Sequence, residues 1–197
     1  MHTELVAEIL IFHHAHGLTE GLDALSQRLR AQGHVVHTPD AYSGATFSRL
    51  DDGIAHAQRI GHDAIEEVAR RAARTHRSAD VTIGFSLGAF PAQLLAQELR
   101  RVRACALIGG ALPPRSLGGE WRHNVALQLH VAKPDEWVEE SEIEELLEHA
   151  AHAEVYRYPG RGHMFPDPTC ADYDADAADA FEERLVEWLE KVEAHAA

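Results

Sequence analysis

The chain has 197 residues, of which 45% are hydrophobic and 25% are charged, and its formal net charge at pH 7 is −14. This composition predicts one globular domain over residues 1–197, with a core large enough to need no disulfides. The excess of acidic groups disfavours nucleic acid and anionic membrane surfaces as partners, because both repel a negatively charged protein.

The N-terminal segment and the cysteines favour a soluble, cytoplasmic protein. The first residues show no basic leader before their apolar run and no small-residue cleavage site, and no apolar stretch approaches the length of a membrane span. Cys105 and Cys170 lie far apart without metal-ligand spacing, which suits a reducing compartment better than a disulfide framework. We expect one buried thiol and one loop thiol.

Short apolar runs alternate with helical patterns along the chain. The predicted strands span 7–13, 34–39, 80–85, 104–110, 126–132 and 153–159. The predicted helices span 19–32, 49–74, 87–101, 136–151 and 172–193, with Thr19 as the first cap and Gly53 and Gly61 as weak points of the second helix. Nearly continuous apolar character indicates strands buried on both faces, so the order predicts an α/β fold with a parallel sheet covered by helices. Residues 110–124 form either a short lid or a plain connection.

Ser86 lies between two glycines in GFSLGA (84–89), where a predicted strand ends and a predicted helix begins. A nucleophile elbow has this context, because its sharp turn leaves no room for side chains two positions before and after the serine. The turn exposes the hydroxyl beyond the carboxyl ends of the strands, where α/β proteins bind ligands. The N–H of Leu87 is then the expected donor to an oxyanion. A plain serine cap with flanking glycines is the alternative interpretation.

A reactive serine needs a general base and a carboxylate that orients it, in the chain order Ser, Asp or Glu, His. His163 lies on the Gly- and Pro-rich loop after the last predicted strand, where an imidazole can face the serine. Asp135 follows the preceding strand and is favoured over Glu136, because Pro134 fixes the chain before it and Glu136 already belongs to the next helix. Three other histidines are interpreted as solvent-exposed: His149, His152 and His195.

The loop after the first strand, FHHAHG (12–17), should supply the second oxyanion donor. Its imidazoles, from His13, His14 and His16, also raise the hypothesis of a zinc site. Three histidines within four residues point in different directions, however, and no distant Cys or acidic motif completes a zinc pattern. We therefore predict no metal.

Five segments resemble the dienelactone hydrolase family of the α/β-hydrolase superfamily: HHAHG, TPDAYSG, GFSLGA, HVAKPDEWV and YPGRGHMF. The resemblance implies an α/β-hydrolase fold with little or no lid, and no cofactor. It implies a triad and an oxyanion hole made of Ser86, His163, Asp135, Leu87 and Ala15. It also implies that two side chains of the first two loops bind the substrate, namely His14 and Tyr42.

The chain departs from the family in three places. Ser86 stands where the family has a nucleophilic cysteine, and His14 stands at about the place of a glutamate that helps to form the thiolate. Asp167 lies shortly after the base, where the family has an arginine that holds the lactone carboxylate. An acid there would repel an anionic substrate, so we expect a neutral ester, thioester or lactone instead of a dienelactone.

The first hypothesis is acyl transfer to water through an acyl-serine, catalysed by a carboxylic ester hydrolase. The second is a non-catalytic binding or regulatory module with a vestigial site, and the third is a metal hydrolase that uses the histidines of residues 13–16. Residues 42–50 and 110–124 are expected to shape the substrate pocket. The oligomeric state stays open.

Overall fold

A single sheet of six parallel strands organises the computed structural model, which describes residues 6–194 apart from the side chain of Glu193. His195 lies outside the described residues. The strands are β1 (Glu8–Phe12), β2 (Val35–His37), β3 (Val81–Phe85), β4 (Ala104–Ile108), β5 (Ala126–Lys133) and β6 (Glu154–Pro159). Their order across the sheet is β2-β1-β3-β4-β5-β6, so the chain runs outward in both directions from the centre.

The helices pack on both faces of this sheet, as the alternating pattern predicts. They are α1 (Glu20–Ala31), α2 (Leu50–Ile60), α3 (His62–Thr75), α4 (Ala89–Glu98), α5 (Glu140–His149) and α6 (Ala175–Ala194). Buried residues of α1 and α6 share one apolar core with one face of the sheet, and those of α3, α4 and α5 share the other. None of the helices within residues 6–194 is long and apolar enough to cross a membrane.

Strands β3 and β4 are buried along their whole length, which accounts for their nearly continuous apolar sequences. The register pairs Phe12 of β1 with Gly84 of β3. The carboxyl ends of these two central strands are therefore adjacent, and the loops that follow them meet at one edge of the sheet.

Several helices differ from their predicted extents. Helix α5 begins at Glu140, four residues later than predicted, so Glu136 lies before it and does not belong to that helix. The stretch 49–74 forms two helices, because Gly61 adopts a φ of +80° that interrupts the first and begins the second. Helix α4 ends at Glu98 instead of residue 101, because Leu99 has an extended backbone conformation. The Arg122 guanidinium donates hydrogen bonds to the carbonyl oxygens of Ala96 and Leu99 at this helix end. Pro91 is the third residue of α4, where its missing N–H costs no intrahelical bond.

The segment 110–124 packs against α4. The Gln93 side chain donates to the carbonyl of Leu112 and accepts from its N–H, at 2.7 and 3.0 Å. The Gln97 amide donates to the carbonyl of Pro114 at 3.0 Å. These hydrogen bonds from two buried glutamines attach the segment to α4, which favours the plain connection over a lid.

Candidate active site

Ser86 occupies the sharp turn between β3 and α4. Its φ of +48° lies in the left-handed region that side chains other than glycine rarely adopt. A Cβ on Gly84 would stand 2.3 Å from the carbonyl oxygen of Gly88, and a Cβ on Gly88 would stand 2.2 Å from that of Phe12. Only glycine fits at either position, for the steric reason the sequence indicated. Such strain is typical of functional turns.

His163 and Asp135 complete a chain of hydrogen bonds that begins at Ser86. The distance from Ser86 Oγ to His163 Nε2 is 2.7 Å, and His163 Nδ1 lies 2.8 and 3.0 Å from the two carboxylate oxygens of Asp135. Because Nδ1 must donate to the carboxylate, Nε2 is the acceptor and the serine hydroxyl is the donor. The side chains of His163 and Asp135 are only 3% and 2% exposed, which strengthens these interactions by excluding water.

The elements that carry these side chains explain their positions. Asp135 follows β5 and His163 follows β6, and these two strands are adjacent in the sheet. The Asp135 carboxylate also accepts the backbone N–H of Trp137 at 3.0 Å, which fixes its orientation. Glu136, the alternative raised by the sequence, is exposed.

A cavity of about 440 Å³ opens above Ser86. Its wall is mainly apolar and comes from α2, α3, the turn at Ser86 and the loops that follow β1, β5 and β6. The lining residues are Ala15, Leu50, Ile54, Ala57, Gln58, Gly61, His62, Ile65, Ser86, Leu87, Trp137 and His163. Both predicted oxyanion donors, Ala15 and Leu87, thus line the same cavity as the serine. Residues 110–124 contribute nothing to this lining.

The two predicted substrate-binding side chains are placed away from this cavity. His14 is fully buried, and its Nε2 lies 2.8 Å from a carboxylate oxygen of Asp167. Tyr42 is 3% exposed, and its hydroxyl donates to the carbonyl of Gly53 at 3.2 Å. The structure therefore corrects the expected substrate contacts. Neither side chain lines the cavity above Ser86, and each forms its hydrogen bond inside the protein, to Asp167 and to Gly53 respectively.

Asp167 is a buried carboxylate surrounded by donors. It accepts hydrogen bonds from His14 Nε2, from Thr19 Oγ1 at 2.5 Å, and from the N–H and hydroxyl of Thr169 at 2.8 and 2.6 Å. Burial alone would raise the pKa of this carboxyl, but the hydrogen bonds from His14, Thr169 and Thr19 outweigh it and hold the pKa well below its usual range. The expected repulsion between Asp167 and an anionic substrate is therefore not supported, since this side chain does not line the cavity.

His14 is the neutral member of this pair. Burial lowers its pKa, and this effect outweighs the opposing influence of Asp167. Its Nδ1 is buried without a hydrogen-bond partner, so protonating that atom would bury an unpaired donor. The neutral ring with a proton on Nε2 satisfies Asp167 and leaves Nδ1 as a bare acceptor. The pair thereby joins the loop of Ala15 to the loop that carries His163.

Replacing Asp167 with Asn is expected to lower the free energy of unfolding at pH 7 by about 3–5 kcal/mol, because four donors lose their charged acceptor. The folded-state pKa of Asp167 is depressed, so its contribution is present above about pH 4 and declines as the pH falls. Urea unfolding at pH 7 and in acid measures both effects. Asp51→Asn, at an exposed carboxylate, is the matched control. Equal stability of D167N and D51N at pH 7 would contradict the assigned network.

The three histidines of the first loop do not converge on one point. The Nδ1 of His13 donates to the carbonyl of His14, while its Nε2 accepts the N–H of Ala41. The Nδ1 of His16 donates to the carbonyl of Phe47. Each ring is thus used in a separate structural contact, so the geometry does not favour the metal-hydrolase hypothesis for this loop.

Three residues of the site were missed by the sequence analysis. Trp137, whose side chain is half exposed, lies at the cavity with its ring centroid 6.4 Å from that of His163. A Cβ on Gly109 would stand 3.2 Å from His163 Cε1, and a Cβ on Gly53 would stand 2.0 Å from the carbonyl of Ala15. A glycine inside a helical pattern signals such a close approach, and Gly53 could have been interpreted in this way.

Comparisons with known proteins agree with this architecture. The profile of the dienelactone hydrolase family matches residues 3–193. A promiscuous phosphotriesterase similar to dienelactone hydrolases, from metagenomic libraries, is 20% identical, with a TM-score of 0.79 over 94% of this chain and 85% of the other. A dienelactone hydrolase from Anabaena variabilis is 16% identical, with a TM-score of 0.61 over 94% and 86% of the two chains.

An esterase from the archaeon Pyrobaculum calidifontis is 15% identical, with a TM-score of 0.66 over 98% of this chain and 77% of the other. At these identities the structures show a common fold. A search of curated protein sequences found no match.

Proposed function

Since the chain belongs to the dienelactone hydrolase family and is an α/β hydrolase, we propose that it cleaves small neutral esters, thioesters or lactones through an acyl-serine intermediate. The observation that carries the proposal is the 2.7 Å contact between Ser86 Oγ, on a strained turn, and His163 Nε2, with Asp135 behind the imidazole. A serine held in this way has the base and the orienting carboxylate that nucleophilic catalysis requires.

In the proposed reaction, Ser86 attacks the substrate carbonyl while His163 Nε2 takes the hydroxyl proton. The N–H groups of Leu87 and Ala15 stabilise the oxyanion, and Leu87 contributes from the first turn after the serine, where N–H groups have no intrahelical partner. The imidazolium then protonates the leaving group. Water, deprotonated by the same nitrogen, attacks the acyl-serine and releases the acid. Asp135 holds Nδ1–H in place and stabilises the imidazolium at each step.

The cavity favours an uncharged acyl group. Among the described residues that line it, none is Lys or Arg, and the wall formed by α2 and α3 is largely apolar. Burying a carboxylate there without a partner would cost several kcal/mol. Another cavity of about 330 Å³, which shares Leu50, Trp137 and His163 with the first, is lined by three carboxylates, of Asp51, Glu136 and Asp172, and by one arginine. An ester whose leaving group carries a negative charge before cleavage is disfavoured there.

A pair of substrates tests this preference. We expect kcat/KM for p-nitrophenyl butyrate to exceed that for p-nitrophenyl hydrogen succinate at least about 100-fold, because the two acyl chains have similar length and only the second carries a carboxylate. Initial rates of p-nitrophenol release, after subtraction of the rate without enzyme for each ester, measure the ratio, and a thioester and a neutral lactone complete the panel. Equal rates on the two esters would rule out the apolar acyl site. They would not bear on the serine mechanism, which the replacement of Ser86 tests separately.

A further inference from the structure

A cluster of metal-ligating side chains lies at the opposite end of β1 from Ser86. Glu8 begins β1, His37 ends the neighbouring edge strand β2, and His76 directly follows α3. Three separate elements, far apart in the chain, thus bring one carboxylate and two imidazoles together. The proposed function uses none of the three.

The donor atoms of this cluster stand at distances close to those around a zinc ion. Glu8 Oε1 lies 2.9 Å from His37 Nε2 and 4.0 Å from His76 Nδ1. One donor atom from each residue can be chosen so that all three lie within 4.8 Å of one another. Ligand atoms of a tetrahedral zinc ion are about 3.4 Å apart, as follows from bond lengths near 2.1 Å. If the two imidazoles tilt out of their stacked arrangement so that both ring planes meet at the ion, all three atoms can surround it.

The two histidines of the cluster are in direct contact, and the cluster is open to solvent. The imidazole rings of His37 and His76 are stacked, with centroids 3.4 Å apart and planes 19° apart. The three side chains are 18–31% exposed, so an ion can enter and water can fill its remaining positions.

We propose that Glu8, His37 and His76 form a binding site for a divalent transition-metal ion of the zinc class. Two imidazole nitrogens and one carboxylate oxygen are a donor set that suits zinc better than calcium or magnesium, which prefer oxygen alone. A bound ion would cross-link the edge strand β2 to β1 and to the end of α3, and would therefore stabilise the fold. The net charge of −14 favours cation binding in general.

A second group of three potential metal ligands is the competing trio for a metal ion. It consists of His14, Asp167 and Cys170. All three residues are buried, which limits the access of an ion to them. Both Asp167 oxygens already accept hydrogen bonds, and burial raises the pKa of the Cys170 thiol to about 12, so the thiolate ligand is disfavoured. The surface cluster is the stronger candidate for these reasons.

Calorimetric titration of the untagged, chelator-treated full chain with zinc chloride tests the proposal. We expect one zinc ion per chain, and a rise of about 5–10 °C in the thermal midpoint at a free zinc concentration of about 100 times Kd. Glu8→Gln, His37→Ala and His76→Ala should each weaken binding at least about 100-fold while keeping the metal-free midpoint near that of wild type.

Two control variants make the result specific. His149→Ala removes an exposed histidine outside the cluster and should bind zinc as wild type does. Cys170→Ala removes a ligand of the competing trio and should also leave binding unchanged. Absence of stoichiometric binding, wild-type affinity in all three cluster variants, or loss of binding in C170A would overturn the assignment.

Discussion

Replacing Ser86 with Ala is expected to reduce kcat/KM for p-nitrophenyl butyrate by a factor of about 10⁵–10⁶, since no other group in the proposed mechanism can form the acyl intermediate. The fold should tolerate the change. Alanine has the same Cβ as serine at the φ of +48°, so the backbone strain of the turn is unaltered, and one hydrogen bond to His163 is lost. The thermal midpoint should stay near that of wild type.

Ser116→Ala is the matched control for this experiment. Ser116 is exposed on the connection that packs against α4, and it does not line the cavity above Ser86. Its variant should retain wild-type turnover. Turnover above about one per cent of wild type in purified, folded S86A, far more than loss of a nucleophile leaves, would contradict the assignment of the nucleophile.

The variant Asp135→Asn is expected to lower kcat by about 10⁴, although the amide has nearly the same shape as the carboxylate. The amide oxygen can still accept the N–H of Trp137, which the carboxylate accepts at 3.0 Å. The amide nitrogen then faces His163 Nδ1 as a donor, so the ring carries its proton on Nε2. An imidazole in that tautomer cannot accept the proton of Ser86, and the imidazolium loses its stabilising charge.

Glu136→Gln provides the comparison for Asp135→Asn. Glu136 is the adjacent carboxylate and the alternative that the sequence left open, but it is exposed. E136Q should change kcat by less than about twofold, because an exposed charge acts weakly through solvent. A large loss in E136Q together with a small one in D135N would reverse the assignment of the two carboxylates.

The order of strands and helices could be predicted from the sequence because local patterns carry it. Nearly continuous apolar runs indicated the buried strands β3 and β4, and a Thr followed by leucines at helical spacing indicated α1. The split at Gly61 was not predicted. A glycine that merely weakens a helix and one that breaks it look alike until neighbouring elements fix its φ.

Ser86, His163 and Asp135 could be proposed together because each follows a predicted strand, and parallel strands place such positions along one edge. Their side chains lie within hydrogen-bond distance of one another. The pairing of His14 with Asp167 could not be anticipated, since the two residues are 153 positions apart and neither belongs to a periodic pattern. Their placement also removed the charge argument for a neutral substrate, which now depends on the apolar wall of α2 and α3.

Reaction of the full chain with a fluorophosphonate probe, followed by mass spectrometry of the digested protein, tests the central claim most directly. Such a probe bonds to a serine only where a base activates the hydroxyl, so it separates a hydrolase from a binding module that has kept the fold. We predict one adduct per chain, located on Ser86, absent from S86A and greatly slowed in D135N. A folded wild-type chain that gains no adduct, or gains it on another residue, would contradict the proposal.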